Sequence, residues 1–226
     1  MGVYMDGEFE DLLAAFSAAR MEPYLKHCNG DVAKAFRLYA WNLEVSAALS
    51  GPLGCLEVAL RNALHEQLVT LVGRSDWWRD RRVDLHDVAK GLLAEAAANL
   101  AKRGKPAVPD AMVAELHFGF WVALLGKGRN YETTLWRPAL RHAFPNYSGG
   151  RLPLHKQLDS MRYLRNRIAH AEPIHRRHLK ADHGTILDLI GRISPPAVEF
   201  VRRHDRVEQV LRRRRAVCDG DADPQF

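Results

Sequence analysis

The chain has 226 residues, and Lys+Arg 33 against Asp+Glu 27 leaves a net charge of +6. An apolar fraction of 47% with 27% charged residues is ordinary for a globular domain and excludes a disordered or fibrous chain. Three widely spaced cysteines, Cys28, Cys55 and Cys218, argue against a disulfide framework and a thiolate metal site, and point to a reducing cytoplasm.

The opening MGVYMDGEFEDLL places acids where a signal peptide carries bases, and Asp6 stands where an acylation motif has Ser or Thr. No apolar run approaches the ~18–20 residues of a bilayer span, so no membrane partner is expected. The apolar spacing is helical nearly throughout, and the expected fold class is all-α, a bundle of about eight helices. Phe9, Leu12, Leu13 and Phe16 form the first stripe. Asp31 caps a helix through Leu49, with Val32, Ala35, Phe36, Tyr39 and Leu43 inward, and Gly51-Pro52 breaks it. Leu56, Leu60, Leu64 and Leu68 mark a helix over 53–71, and an Ala-rich one covers 84–102. Pro109 opens a helix over 109–125, and 131–143 is read as helical despite Pro138. After the loop at 145–150 come helices at 153–169, 178–193 and a basic one at 196–215, then a flexible tail from 216. One continuous domain is expected, with a division near residue 105 as the alternative.

The positive charge is uneven. Between Arg192 and Arg215 stand eight Arg and no Lys against Glu199, Asp205 and Glu208, which is +5 of the total +6. The segment reads either as a solvated helix or as a phosphate-attracting patch, and Arg without Lys favours planar oxyanions.

Most catalytic motifs are missing: there is no P-loop, no dinucleotide-binding glycine fingerprint, no His-Glu-x-x-His and no nucleophile elbow. His170, His175, His178 and His183 cluster in sequence, but no two are four apart on one helical face, so neither a metal nor any other cofactor is expected. Trp77-Trp78 and the run Phe118, Phe120, Trp121 are read as core rather than as base-stacking platforms.

The stretch MRYLRNRIAHAEPIH, residues 161–175, is different. Leu158, Met161, Leu164 and Ile168 form an apolar stripe, with Asn166 and His170 at i and i+4 beside it and Arg165 on the other flank. Pro173 stops the helix. An imidazole with a pKa near 6.5 moves protons at neutral pH, and a guanidinium stabilises charge developing on a phosphoryl oxygen. The pair suits RNA cleavage through its own 2′-hydroxyl, which needs neither metal nor protein nucleophile.

Arg165, four intervening residues and His170 resemble the R-x(4–6)-H signature of HEPN-domain ribonucleases. The longer text is similar to the Abi-like (abortive infection) family of that superfamily, in LEVALRN at 56–62, ELHFGFWVALL at 115–125, LWRPALRHAFPN at 135–146 and LRNRIAHAEPI at 164–174. The similarity spans roughly residues 35–215. It departs at Ala171, where relatives carry a second His. The resemblance implies a metal-independent endoribonuclease used in phage defence or as a toxin, with RNA as partner and an antitoxin or phage-derived trigger controlling it. It implies Arg165, His170 and Asn166 as catalytic residues. Arg61, Asn62 and Glu57, with Glu172 and His175, are the substrate-binding candidates, although Glu57 and Arg61 at i and i+4 also suit a plain helix ion pair.

The resemblance further implies a homodimer whose signature helices meet in one cleft. On an ideal helix Arg165 and His170 are roughly 140° apart and ~7.5 Å along the axis, so two copies aim them at one phosphate more easily than one does. A monomer whose Arg165 bends around is the alternative. A non-catalytic RNA-binding or protein-interaction module on the same helices is the other functional reading.

Overall fold

The computed structural model describes residues 6–226, with side chains from Phe9 onward; the reading of residues 1–5 as lacking a leader or acylation motif lies outside them. The described residues form ten α-helices and no strand, so the fold is all-α. They are α1 (Asp6–Phe16), α2 (Ala18–His27), α3 (Val32–Val72), α4 (Asp87–Lys102), α5 (Pro109–Glu115), α6 (Phe118–Ala123), α7 (Arg151–Ala169), α8 (Leu179–Ile193), α9 (Pro195–His204) and α10 (Val207–Asp219).

The expected break at Gly51-Pro52 is not made. α3 runs through it for 41 residues. A Pro inside a helix costs about 3 kcal/mol in a lost hydrogen bond and a ring clash. Against that, Leu38, Trp41, Val45 and Leu49 before it, and Leu53, Leu56, Leu60, Leu64 and Leu68 after it, are each at most 2% exposed. Each such burial contributes roughly 1.5–3 kcal/mol, so the stripe outweighs the proline. Ser46 and Ser50 hydroxyls donate to the carbonyls of Asn42 and Ser46 just ahead of it, a pattern that bends helices without ending them. α3 also contains an 18-residue window of mean hydropathy 1.4, so one helix is long and apolar enough to cross a bilayer, contrary to the expectation that none is. Half of that window is buried within the protein, which a core helix also requires.

Pro52 marks a different boundary. The chain gathers into two compact units, one of residues 1–52, 164–184 and 203–226, the other of 53–163 and 185–202. Neither is a single segment, and residue 105 falls inside the second. In the first unit Met21, Tyr24, Trp41, Leu164, Ile174, Val207 and Val217 are fully buried or nearly so. Asp31 caps α3 as expected, its carboxylate accepting the Lys34 N–H at 2.8 Å.

In the second unit Trp77, Phe118, Phe120 and Trp121 are at most 1% exposed, and Trp77 lies 6.3 and 6.2 Å from the Phe120 and Trp121 rings. These aromatics are core. The helix expected over 109–125 divides at Leu116, whose carbonyl accepts the Trp121 indole N–H at 3.2 Å instead of a helical amide. The helix expected over 131–143 does not form. Pro138 has no N–H to give, and the chain makes a wide turn at Glu132–Trp136, with Arg137 N–H on the Glu132 carbonyl, then a tight one at Leu140–Ala143.

The basic helix expected over 196–215 is two helices. Asp205 separates them: its carboxylate accepts the Val207 N–H at 2.7 Å and pairs with His183. Residues 216–219, expected in a flexible tail, continue α10 to Asp219, where Gly220 at φ 88° ends it.

Candidate functional site

The signature stretch closes α7. Leu158, Met161 and Leu164 are buried as the stripe requires, and Ile168 is half-buried. The helix ends at Ala169. Ala171 N–H then donates to the Ile168 carbonyl at 3.0 Å and Glu172 N–H to the Arg167 carbonyl at 2.8 Å, a Schellman closure with Ala171 left-handed at φ 51°. His170 is the C-cap residue of this turn, and its own N–H still bonds the Asn166 carbonyl at 3.0 Å. Asn166 and His170 are therefore one helical turn apart. The His170 side chain is exposed, Arg165 and Asn166 are half-buried, and Glu172 holds its carboxylate 3.6 Å from Arg167 Nε.

Two residues that sequence reasoning missed hold this turn in place. Arg20, on α2, donates to the carbonyl of Ala171 at 2.8 Å and to that of His170 at 3.5 Å, a cation on carbonyls that the helix end leaves open. Asn42, on α3 and 0% exposed, accepts the N–H groups of Ile174 and His175 on one Oδ1, at 2.8 and 3.1 Å. Arg167 adds a 2.7 Å bond to the Pro173 carbonyl. Signals existed for both. Ser17 caps α2 ahead of Met21, Tyr24 and Leu25 at helical spacing. Asn42 is the polar residue between Trp41 and Leu43 in an apolar run.

His175 does not join the substrate side expected of it. It is 1% exposed, with its ring 4.9 Å from Tyr24 and 5.0 Å from His27. Burial pushes its pKa down to about 4, and the charges of His27, Arg176, Arg214 and Arg167 push the same way. An unfolded His titrates near 6.5, so between pH 6.5 and 4 the unfolded chain takes up a proton that the folded one refuses. Stability is therefore fully present above pH 6.5 and falls as pH drops towards 4, by about 3 kcal/mol from this group. Burial also lowers His27, which adds to the loss. Both His175 ring nitrogens are without hydrogen-bond partners among the described residues, so His175→Leu sacrifices no bond there. Denaturant melts at pH 7 and 4.5 should show a smaller acid loss in that variant than in the wild type.

Glu57, Arg61 and Asn62 lie on α3 in the other unit. Glu57 and Arg61 are half-buried and Asn62 is exposed. Arg61 Nε is buried without a hydrogen-bond partner among the described residues, while Glu57 has interactions of its own. Among those residues no group of three His, Cys, Asp or Glu side chains is placed to hold a metal ion. What the α7 end presents to solvent is an imidazole, with a guanidinium and an amide on the turn before it. Those groups can move a proton and neutralise a phosphoryl oxygen. No known protein family, no curated protein and no solved structure matches the chain.

Proposed function

We propose that the chain is a metal-independent endoribonuclease of the HEPN type, acting in the cytoplasm in phage defence or as a toxin under the control of an antitoxin or a phage-derived trigger. The observation that carries this reading is the Arg165-Asn166-x(3)-His170 arrangement at the closed end of α7, with His170 exposed on a turn fixed from three directions by Arg20, Asn42 and Arg167. The similarity of four sequence blocks to Abi-like proteins supports it.

In this reading His170 takes the proton of the RNA 2′-hydroxyl as the 2′-oxygen attacks phosphorus. The P–O5′ bond breaks as the O2′–P bond forms, the 5′-oxygen takes a proton from solvent and leaves as a hydroxyl, His170 returns its proton to solvent, and a 2′,3′-cyclic phosphate remains. Arg165 neutralises the phosphoryl oxygens, Asn166 orients the phosphate beside His170, and Glu172 acts at the rim. Arg20 and Asn42 are positioning residues. The helical bond from His170 to Asn166 keeps His170 in the α7 register, so Arg165 and His170 diverge, which favours a homodimer in which each Arg complements the partner's His.

Expression in a bacterial host separates this reading from a non-catalytic binding module. Wild-type protein is expected to arrest growth and His170→Ala to be tolerated at equal abundance. Equal toxicity of the two proteins favours the module.

A further inference from the structure

A second cationic site lies in the first unit, where the start of α8 and the face of α10 line a pocket of about 390 Å³, open to solvent, over Trp41. Its volume is within the range of small-molecule sites. Arg177, Lys180, Arg212 and Arg214 line it against the single carboxylate of Glu208, four cations to one anion. It shares no residue with Arg165, Asn166, His170 or Glu172.

The four cations differ in what holds them. Arg177 is fixed by a two-point bond to Asp182, at 2.8 and 2.9 Å. Arg212 pairs with Glu208 at 2.8 Å, but both side chains are mostly exposed, and an exposed i, i+4 pair is worth only a few tenths of a kcal/mol. A phosphate can therefore take over Arg212 at little cost. Arg214 has no carboxylate within salt-bridge distance among the described residues; its guanidinium lies 4.9 Å above the Trp41 ring. Lys180 is exposed and has no ion pair among them.

Trp41 is the fixed floor. Its indole N–H donates to the Val210 carbonyl at 3.1 Å, and Arg214 covers its face. Leu179 and Leu211 supply apolar wall beside it. His178 accepts the Ala181 N–H on Nδ1 at 3.2 Å and stands at the rim of the pocket. Cations that bind phosphate oxygens, beside two leucines and above an aromatic face that is 0% exposed until Arg214 turns from it to a phosphate, suit a molecule that joins a phosphate to a planar ring.

We propose that this pocket binds a free nucleoside phosphate, with the phosphate between Lys180, Arg212 and Arg214 and the base against Leu211 and the face of Trp41 that Arg214 gives up. The site is independent of RNA cleavage at His170, and a mononucleotide offers no internucleotide bond to cut, so binding is read without turnover.

The test is calorimetric titration of the full chain with 5′-AMP, ATP, adenosine, inorganic phosphate and a short single-stranded DNA. 5′-AMP or ATP is expected to bind in the micromolar range, inorganic phosphate more weakly, and adenosine not measurably. Lys180→Gln and Arg214→Gln should each weaken the nucleotide at least ~10-fold. Arg202→Gln, an exposed cation on α9, should leave it unchanged. Lys180 is exposed, so its variant tests the pocket even where Arg214→Gln alters the melt. Absence of saturable binding by either nucleotide, or binding unaffected by Lys180→Gln, overturns the proposal. Binding of the DNA strand alone assigns the cations to polynucleotide instead and overturns it equally.

Discussion

Replacing His170 by alanine is expected to slow RNA cleavage by about two orders of magnitude or more, the range for a general acid–base group. The side chain is exposed and makes no hydrogen bond among the described residues, so its loss should leave the melt within about 0.5 kcal/mol of wild type. Rate and stability thus separate cleanly at this position. Arg165→Ala should cost a similar factor through lost stabilisation of the phosphoryl charge. Arg165 is half-buried and has other interactions, so Arg165→Lys is the cleaner comparison. It keeps the charge and loses the two-point fork. Initial rates on a fluorescently quenched RNA measure all three variants, and full activity in His170→Ala would remove His170 from the chemistry.

The largest effect on stability is expected at Arg213. Glu44 is 1% exposed and takes its charge-assisted bond from Arg213 at 3.0 Å, while its other oxygen is buried without a partner among the described residues. Arg213→Gln leaves a buried carboxylate uncompensated, a loss of about 3–5 kcal/mol. That is a large share of the roughly 5–15 kcal/mol available to a domain. Glu44→Gln combined with Arg213→Gln should recover part of it, because no charge is then stranded. Arg212 and Arg215 have 79% and 94% exposed side chains in i, i+4 pairs, and their Gln variants should melt as wild type. Chemical denaturation of the four variants checks this. An Arg213→Gln protein that melts with the wild type would show that Glu44 does not depend on it.

The run of four arginines shows where sequence reading stops. Composition gives +5 over Arg192–Arg215. Spacing does not say that Arg213 turns inward to Glu44 or that Arg214 covers Trp41. Those partners come from distant segments, and only the fold brings them together. Apolar periodicity was legible almost everywhere, because burying one face of a helix is a local rule. It failed where side chains compete with backbone bonds, at Leu116 and Asp205, and where Pro138 removes a donor. At Pro52 the error ran the other way, since long-range burial overrode a local breaker. In the candidate site, Arg165, Asn166 and His170 stood out as a cluster on one helix end. His175 belongs to the same text, yet its burial depends on Tyr24 and His27 of α2, a helix that runs through Pro23, a residue whose local signal is a break.

The most direct test of the account is incubation of purified protein with single-stranded RNA in excess EDTA, followed by analysis of the product ends. Cleavage that persists under chelation and leaves 2′,3′-cyclic phosphate and 5′-hydroxyl ends is the predicted result, with a 2′-deoxy substitution at the scissile position blocking it. Cleavage that vanishes with the chelator and returns with magnesium would contradict it, because the attacking oxygen would then be prepared by a metal rather than by His170.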